Sequence, residues 1–298
     1  MTATTAQGAP VARPGRQRPR LAWLGLLPFL AFATLFLLIP TTYLIVGSLQ
    51  NQAGEFTLQN YQDLTGGIPI NAYLTSIEIS FVTAVSAGVF GFMLAYAVIS
   101  GGLPRPFRSG LMTFSGVASN FAGIPLALAF TFTIGRTGLL TVLLRDGLGV
   151  DVYQQGGFSL YTKIGLEITY FYFQLPLMIL IIAPAIDGLK KEWREASENM
   201  GASTVQFWRY VALPVLMPSL LGSMILLFGN AFGAQATAYQ LTGGFINLVT
   251  ILIGNQLTGD VLHNKGLGYA LAMGMVAILG VTLLAYSWLQ RRSERWLR

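Results

Sequence analysis

The sequence predicts an all-α integral membrane protein of about six spanning helices, with both termini on the inner side of a cell membrane. Three observations predict it. First, the 298 residues are 53% hydrophobic and only 10% charged, against roughly a quarter charged in an ordinary soluble domain, and mean hydropathy is +0.60. Second, the apolar residues gather into runs close to the ~20 residues that cross a hydrocarbon core. Third, the basic residues flank those runs on alternate sides. Cysteine is absent, which excludes disulfides, thiol chemistry and cysteine-based metal sites.

In chain order, residues 1–20 form a Pro-, Ala- and Arg-containing tail with the composition of a disordered segment. Leu21 to Gly47 is the first apolar run, far longer than the roughly 7–15 apolar residues of a cleaved signal peptide. It contains Pro28 and Pro40, which membrane helices tolerate. Five more runs follow: Ile77 to Ile99, Leu111 to Ile134, Ile164 to Ala185, Val215 to Phe232 and Gly266 to Trp288. The spanning domain therefore occupies residues 21–290, and residues 291–298 form a second basic tail.

Charge fixes the expected orientation. With the N-terminus inside, the inner segments hold Arg13, Arg16, Arg18, Arg20, Arg105, Arg108, Lys190, Lys191, Arg194, Arg209, Arg291, Arg292, Arg295 and Arg298. The outer ones hold only Arg136, Arg145, Lys163 and Lys265, the bias that orients membrane helices. Net charge is +6 and the isoelectric point about 9.7, values that fit nucleic-acid binders. Here the charges are membrane flanks, not a stripe on a folded domain, so the expected partner is the lipid bilayer and not nucleic acid.

The outer segments are patterned. Ser48 to Ser76 contains FTLQNYQDL (Phe56 to Leu64), and Gly135 to Lys163 contains TGLLTVLLRDGLG, a short amphipathic helix suited to the interface. Gln235 to Lys265 carries Gly243, Gly244, Gly254 and Gly259 and reads as a broken or re-entrant piece. Such backbone is tolerated at membrane depth only where protein or a water-filled cavity covers it.

The inner stretch Lys190 to Pro218 reads KKEWREASENMGASTVQFWRYVALPVLMP. Lys190 to Met200 is made of helix formers, and Gly201 ends a helix cheaply. Ser203 with Gln206 three places on fits a capping box, so a second helix starts there and runs to Pro214, where the missing N–H disturbs it. The expected object is helix, tight turn, helix against the membrane surface.

Glu195-Ala196-Ser197, then Gly201, then Val211-x-Leu213-Pro214, resembles the signature loop of permease subunits in binding-protein-dependent ATP-driven importers. That pattern is EAA, three residues, Gly, nine residues, Ile-x-Leu-Pro; Ser197 and Val211 are the departures. The resemblance implies a type I ABC importer permease whose 188–214 loop docks on a separate ATPase. Glu195, Ala196, Ser197, Gly201, Ala202, Leu213 and Pro214 fall on its coupling positions. It further implies ATP-binding cassette ATPase subunits inside, a second permease subunit, identical or homologous, and an extracytoplasmic solute-binding protein outside. GASTVQFWRYVALPVLMPSL and the later TAYQLTGG tract are similar to the spermidine/putrescine branch, which implies a polyamine or similar small solute. That branch also resembles permeases for ferric iron, thiamine, sulfate and aminoethylphosphonate. No G-x-x-x-x-G-K-[ST] occurs, so this chain binds no cofactor by that route; ATP and Mg belong to the partner ATPases.

Glu78 and Glu167 fall near the outer ends of the second and fourth runs. Carboxylates there are costly unless paired or wet. They either line the outer half of a path for a cationic solute, with Tyr170, Tyr172 and Phe173 adding cation–π contacts, or reach the interface among its usual aromatics. Asn230, Gln235 and Tyr239 are either pore lining or helix–helix hydrogen-bonding groups. His263 is the sole histidine and reads as a surface residue. Two other classes stay in view: an ATP-independent secondary transporter or channel, and an intramembrane enzyme using His263.

Overall fold

The computed structural model describes residues 25–154, 156–258 and 264–294. The basic tail of residues 1–20, Gly259, His263, Arg295 and Arg298 lie outside them. The described residues fold as a nearly all-helical bundle, with a single isolated antiparallel bridge between Gln50 and Phe56. Six segments are long and apolar enough to cross a membrane.

The first, α1 (Leu27–Ser48), contains a π-type turn at Thr34–Leu38 just ahead of Pro40. Pro40 offers no N–H and its ring would crowd the preceding turn; a widened turn relieves both effects. Thr41 and Thr42 help, donating hydroxyl hydrogen bonds to Leu37 O and Leu38 O at 2.6 and 2.8 Å. A short helix α2 (Gln59–Asp63) falls in the FTLQNYQDL segment. Its buried Asn60 donates to Ser48 O and Gln50 O at 3.0 and 2.9 Å, fastening the end of α1.

Helix α3 (Gly67–Ser100) is ten residues longer at its start than the apolar run suggested, because Pro69 is compatible with a first helical turn. Its buried stripe of Ala84, Ala87, Gly88, Gly91 and Ala95 lets other helices approach closely. A Cβ on Gly91 would come within 2.7 Å of Met178, and one on Gly88 within 2.7 Å of Met224.

The third expected run is not one helix. It divides into α4 (Arg105–Asn120) and α5 (Gly123–Ile134), broken at Phe121-Ala122. Pro125 lacks the N–H that a continuous helix would use, and Gly123 takes φ +71°. The amphipathic α6 (Leu139–Leu148) follows, closed by Gly149 in the left-handed region; by length and composition the third crossing candidate is Gly123–Leu148, α5 together with α6, in place of the expected Leu111–Ile134. Helix α7 (Lys163–Asp187) is the most enclosed span and packs along α3 and α4. In its centre the fully buried Gln174 donates through Nε2 to Thr83 Oγ1 at 2.8 Å. At its end Asp187 pairs with Arg108, which places the start of α4 beside the end of α7.

Helix α8 (Lys191–Asn199) lies in the inner stretch, and α9 follows over Thr204–Phe232. Then come two short helices, α10 (Gln235–Thr242) and α11 (Val249–Thr258), joined by a turn with Gly243 and Gly244 at φ +60° and +83°. This is the broken piece the glycines announced. Helix α12 (Lys265–Glu294) closes the bundle against α1 and α11. Consecutive spans thus alternate between an end carrying α8 and an opposite end carrying α2, α6 and the Gly243-Gly244 turn.

Candidate functional site

The signature stretch folds as an elbow. After α8, Met200 caps the helix and Gly201 takes φ +77°. Ala202 N donates to Ser197 O at 3.0 Å and Gly201 N to Glu198 O at 2.9 Å. This is the paired-bond Schellman closure that satisfies the last carbonyls of a helix. Ser203 then caps α9: Gln206 N donates to Ser203 Oγ at 3.3 Å, and Ser203 N to Gln206 Oε1 at 2.7 Å. Arg194 holds Glu198 one turn away at 2.9 Å, and that hydrogen bond raises the guanidinium's pKa further.

The second helix does not end at Pro214 as the sequence suggests. A π-type turn at Trp208–Ala212 absorbs the proline, and the helix runs on across the membrane. The device is the one seen before Pro40. Glu195 and Ala196 are exposed on α8, while Ser197 faces inward and donates to Arg194 O at 2.8 Å. The two halves of the signature meet in space. Ala196 and Ser197 from α8, and Leu213 and Pro214 from α9, line one apolar groove of about 820 Å³ with Trp193 and Met200. Glu195 stands outside that groove.

A second feature lies where the break between α4 and α5 meets the break between α9 and α10. Ser119, Phe173, Asn230, Gln235 and Thr237 line a cavity of about 530 Å³ there, and among the described residues no Asp, Glu, Lys or Arg lines it. Tyr170 sits behind, buried, its hydroxyl donating to Ala234 O. The six path candidates therefore separate. Asn230 and Gln235 line the cavity and Tyr170 supports it; Tyr239 is exposed elsewhere on α10. Glu78 is exposed and pairs with Lys163, with the half-buried Glu167 one turn along from that lysine. Those acids form a cluster toward the opposite end, apart from the cavity.

Sequence reading missed Ser119, Gly123 and Thr237. A signal was present. Asn120-Phe121-Ala122-Gly123 and Asn230-Ala231-Phe232-Gly233 repeat Asn-x-x-Gly at the two breaks. In the first, Asn120 Nδ2 donates back to Gly116 O at 2.8 Å, closing the last turn of α4.

Six apolar spans, a polar cavity between broken helices and a hydrogen-bonded elbow together fit a transport permease. The chain belongs to the family described as binding-protein-dependent transport system inner membrane component, which it matches over residues 79–298. The spermidine/putrescine transport system permease protein PotB of Haemophilus influenzae is 24% identical over 260 residues, 84% of this chain and 87% of its own. The sulfate transport system permease protein CysT of Salmonella typhimurium is 26% identical over 217 residues, 72% of each chain. The fold matches a chain in the crystal structure of a bacterial ABC transporter that imports the acidic polysaccharide alginate. There the TM-score is 0.72 at 17% identity, covering 93% of this chain and 96% of that one. The protein is thus a membrane permease of the ABC importer class.

Proposed function

We propose that this permease moves a small solute inward by alternating access, driven by separate ATPase subunits that grip the elbow of α8 and the start of α9. The carrying observation is the groove shared by Ala196, Ser197, Leu213 and Pro214. Beside it, the hydrogen-bonded closure at Gly201 and the cap at Ser203 join α8 to α9 through a structured turn, so force on the first reaches the second. A slack loop would absorb that force. The charge bias supports N- and C-termini on the cytoplasmic side, and hence a cytoplasmic elbow in a cell membrane. A second permease subunit would complete the path, and an external binding protein would deliver cargo. ATP and Mg would be held by the ATPase partners.

The cargo we assign is a polyamine or a similar small solute. The resemblance to PotB and the acids Glu78 and Glu167 support a cation, while the resemblance to CysT makes sulfate the rival. Because among the described residues no ionisable side chain lines the cavity, passage there rests on hydrogen bonding by Asn230 and Gln235, with charge selection left to the binding protein.

The test uses the assembled importer in proteoliposomes. Gly201→Trp and Glu195→Lys should abolish ATP-driven uptake while the complex still hydrolyses ATP and the helices stay folded. Normal uptake in both variants would refute the docking assignment. Uptake of labelled putrescine against labelled sulfate decides cargo, and Glu167→Gln with unchanged putrescine uptake removes that acid from the path.

A further inference from the structure

The two breaks are physically joined. Gly123, first residue of α5, donates its N–H to Thr237 Oγ1 at 2.9 Å, and the same hydroxyl lies 3.3 Å from Gly123 O, its acceptor. Thr237 sits in the first turn of α10 and is buried. Helices α5 and α10 then run side by side toward the opposite end, packed on each other more extensively than either is on α7. Leu126, Ala127, Ala238 and Leu241 of the pair share one apolar cluster with Ile79, Leu160, Leu166 and Ile251, and at the far end of α5 Tyr153 from the following loop donates its hydroxyl to Ile134 O at 2.9 Å. Among the described residues, the side-chain hydrogen bond joining this pair to α7 is that of Tyr170 to Ala234 O, at the break itself.

We propose that α5 and α10 move as one body over the cavity, a gate hinged at the paired breaks, with Thr237 the positioning residue that keeps the two half-helices in step. The inference rests on the alternating-access reading above. Three features carry it. Both hinges lie beside the same cavity, so swinging either outer half changes access to Asn230 and Gln235. Hinges are a few element-terminal residues that absorb backbone change, and Gly123 already occupies φ +71°. Finally, beyond the break the gate meets α7 itself through apolar side chains, whereas its two halves are hydrogen-bonded to each other. Thr237 lines the cavity as well, and its hydroxyl bonds the backbone of Gly123, so it acts on the partner half-helix through Gly123.

The experiment combines variants with distances in the assembled importer. Thr237→Val keeps the shape and removes the hydroxyl; Thr237→Ser keeps it. Uptake per ATP hydrolysed should fall roughly 5- to 30-fold in Thr237→Val, the factor for losing one to two kcal/mol, and return in Thr237→Ser. Spin labels go on exposed Phe132 of α5, Gln240 of α10 and Ile168 of α7, in a chain that has no cysteine of its own. Between nucleotide-free and vanadate-trapped complexes, the 132–240 distance should hold while 132–168 and 240–168 change together. A 132–240 distance that changes as much as the other two overturns the gate, as does equal coupling in the Val and Ser variants. Should Thr237→Val not assemble, the distances in the Thr237 protein decide alone. Absence of ATP-driven uptake by the unsubstituted importer sinks the functional reading and the gate with it; uptake with independent half-helices sinks only the gate.

Discussion

Gly201 shows how much one residue carries. At φ +77° an L side chain meets its own carbonyl, at a cost of about 1–2 kcal/mol, so Gly201→Ala should lower the midpoint of thermal unfolding or loosen the elbow. The readout is amide hydrogen exchange at Ala202 and Ser203; unchanged protection would contradict the role given to the turn. Gln174 poses a different case. Its Nε2 is bonded to Thr83 while its Oε1 is buried without a partner among the described residues. Removing Thr83's hydroxyl leaves both ends of the amide unpaired, so Thr83→Val should cost about 0.6–2 kcal/mol. Gln174→Leu removes the unpaired oxygen along with the bond and should be close to neutral. Thermal unfolding in detergent separates the two, and equal losses would count against this view.

At the scale of elements, proline and the π-type turn act together. Pro40 and Pro214 each follow such a turn, at Thr34–Leu38 and Trp208–Ala212. A π-type turn accommodates one residue more than an α turn, so regularising it would rotate everything before it by about 100°. Pro214→Ala restores the N–H and removes the clash. The expected result is an elbow turned relative to α9, with uptake lost and ATP hydrolysis retained; full coupling would show that the widened turn is incidental. The capping box is worth about 1 kcal/mol, and Ser203→Ala should fray the first turn of α9 without unfolding the span. The sequence announced this helix, its cap and the preceding glycine stop because each is a local matter of side chain and backbone. It did not announce that the helix passes Pro214, because a widened turn leaves no residue pattern of its own.

The whole molecule was legible where composition decides and hidden where tertiary contact decides. Spans could be read from apolar runs, the elbow from Glu195 to Pro214, and the broken piece from Gly243 and Gly244. The split of α4 from α5 was masked, since Phe121 and Ala122 continue the apolar run across the break. The cavity was half read: Asn230 and Gln235 stood out as polar residues in greasy surroundings, whereas Thr237 belongs to it through a bond to a residue 114 positions away. Orientation can be checked directly. With no native cysteine, Met200→Cys should react with a membrane-impermeant maleimide only from the cytoplasmic side. Phe245→Cys, on the 93% exposed side chain beside the Gly243-Gly244 turn, should react only from outside. The reverse pattern would invert the topology.

The elbow is closed by bonds that begin and end within residues 194–207, and among the described residues none of its side-chain hydrogen bonds reaches those lining the cavity. On the proposed function, motor engagement and cargo tolerance are therefore written in separate stretches of the chain. Descendants of such a sequence could acquire new diets by altering residues around Asn230 and Gln235 while keeping the engine they already share.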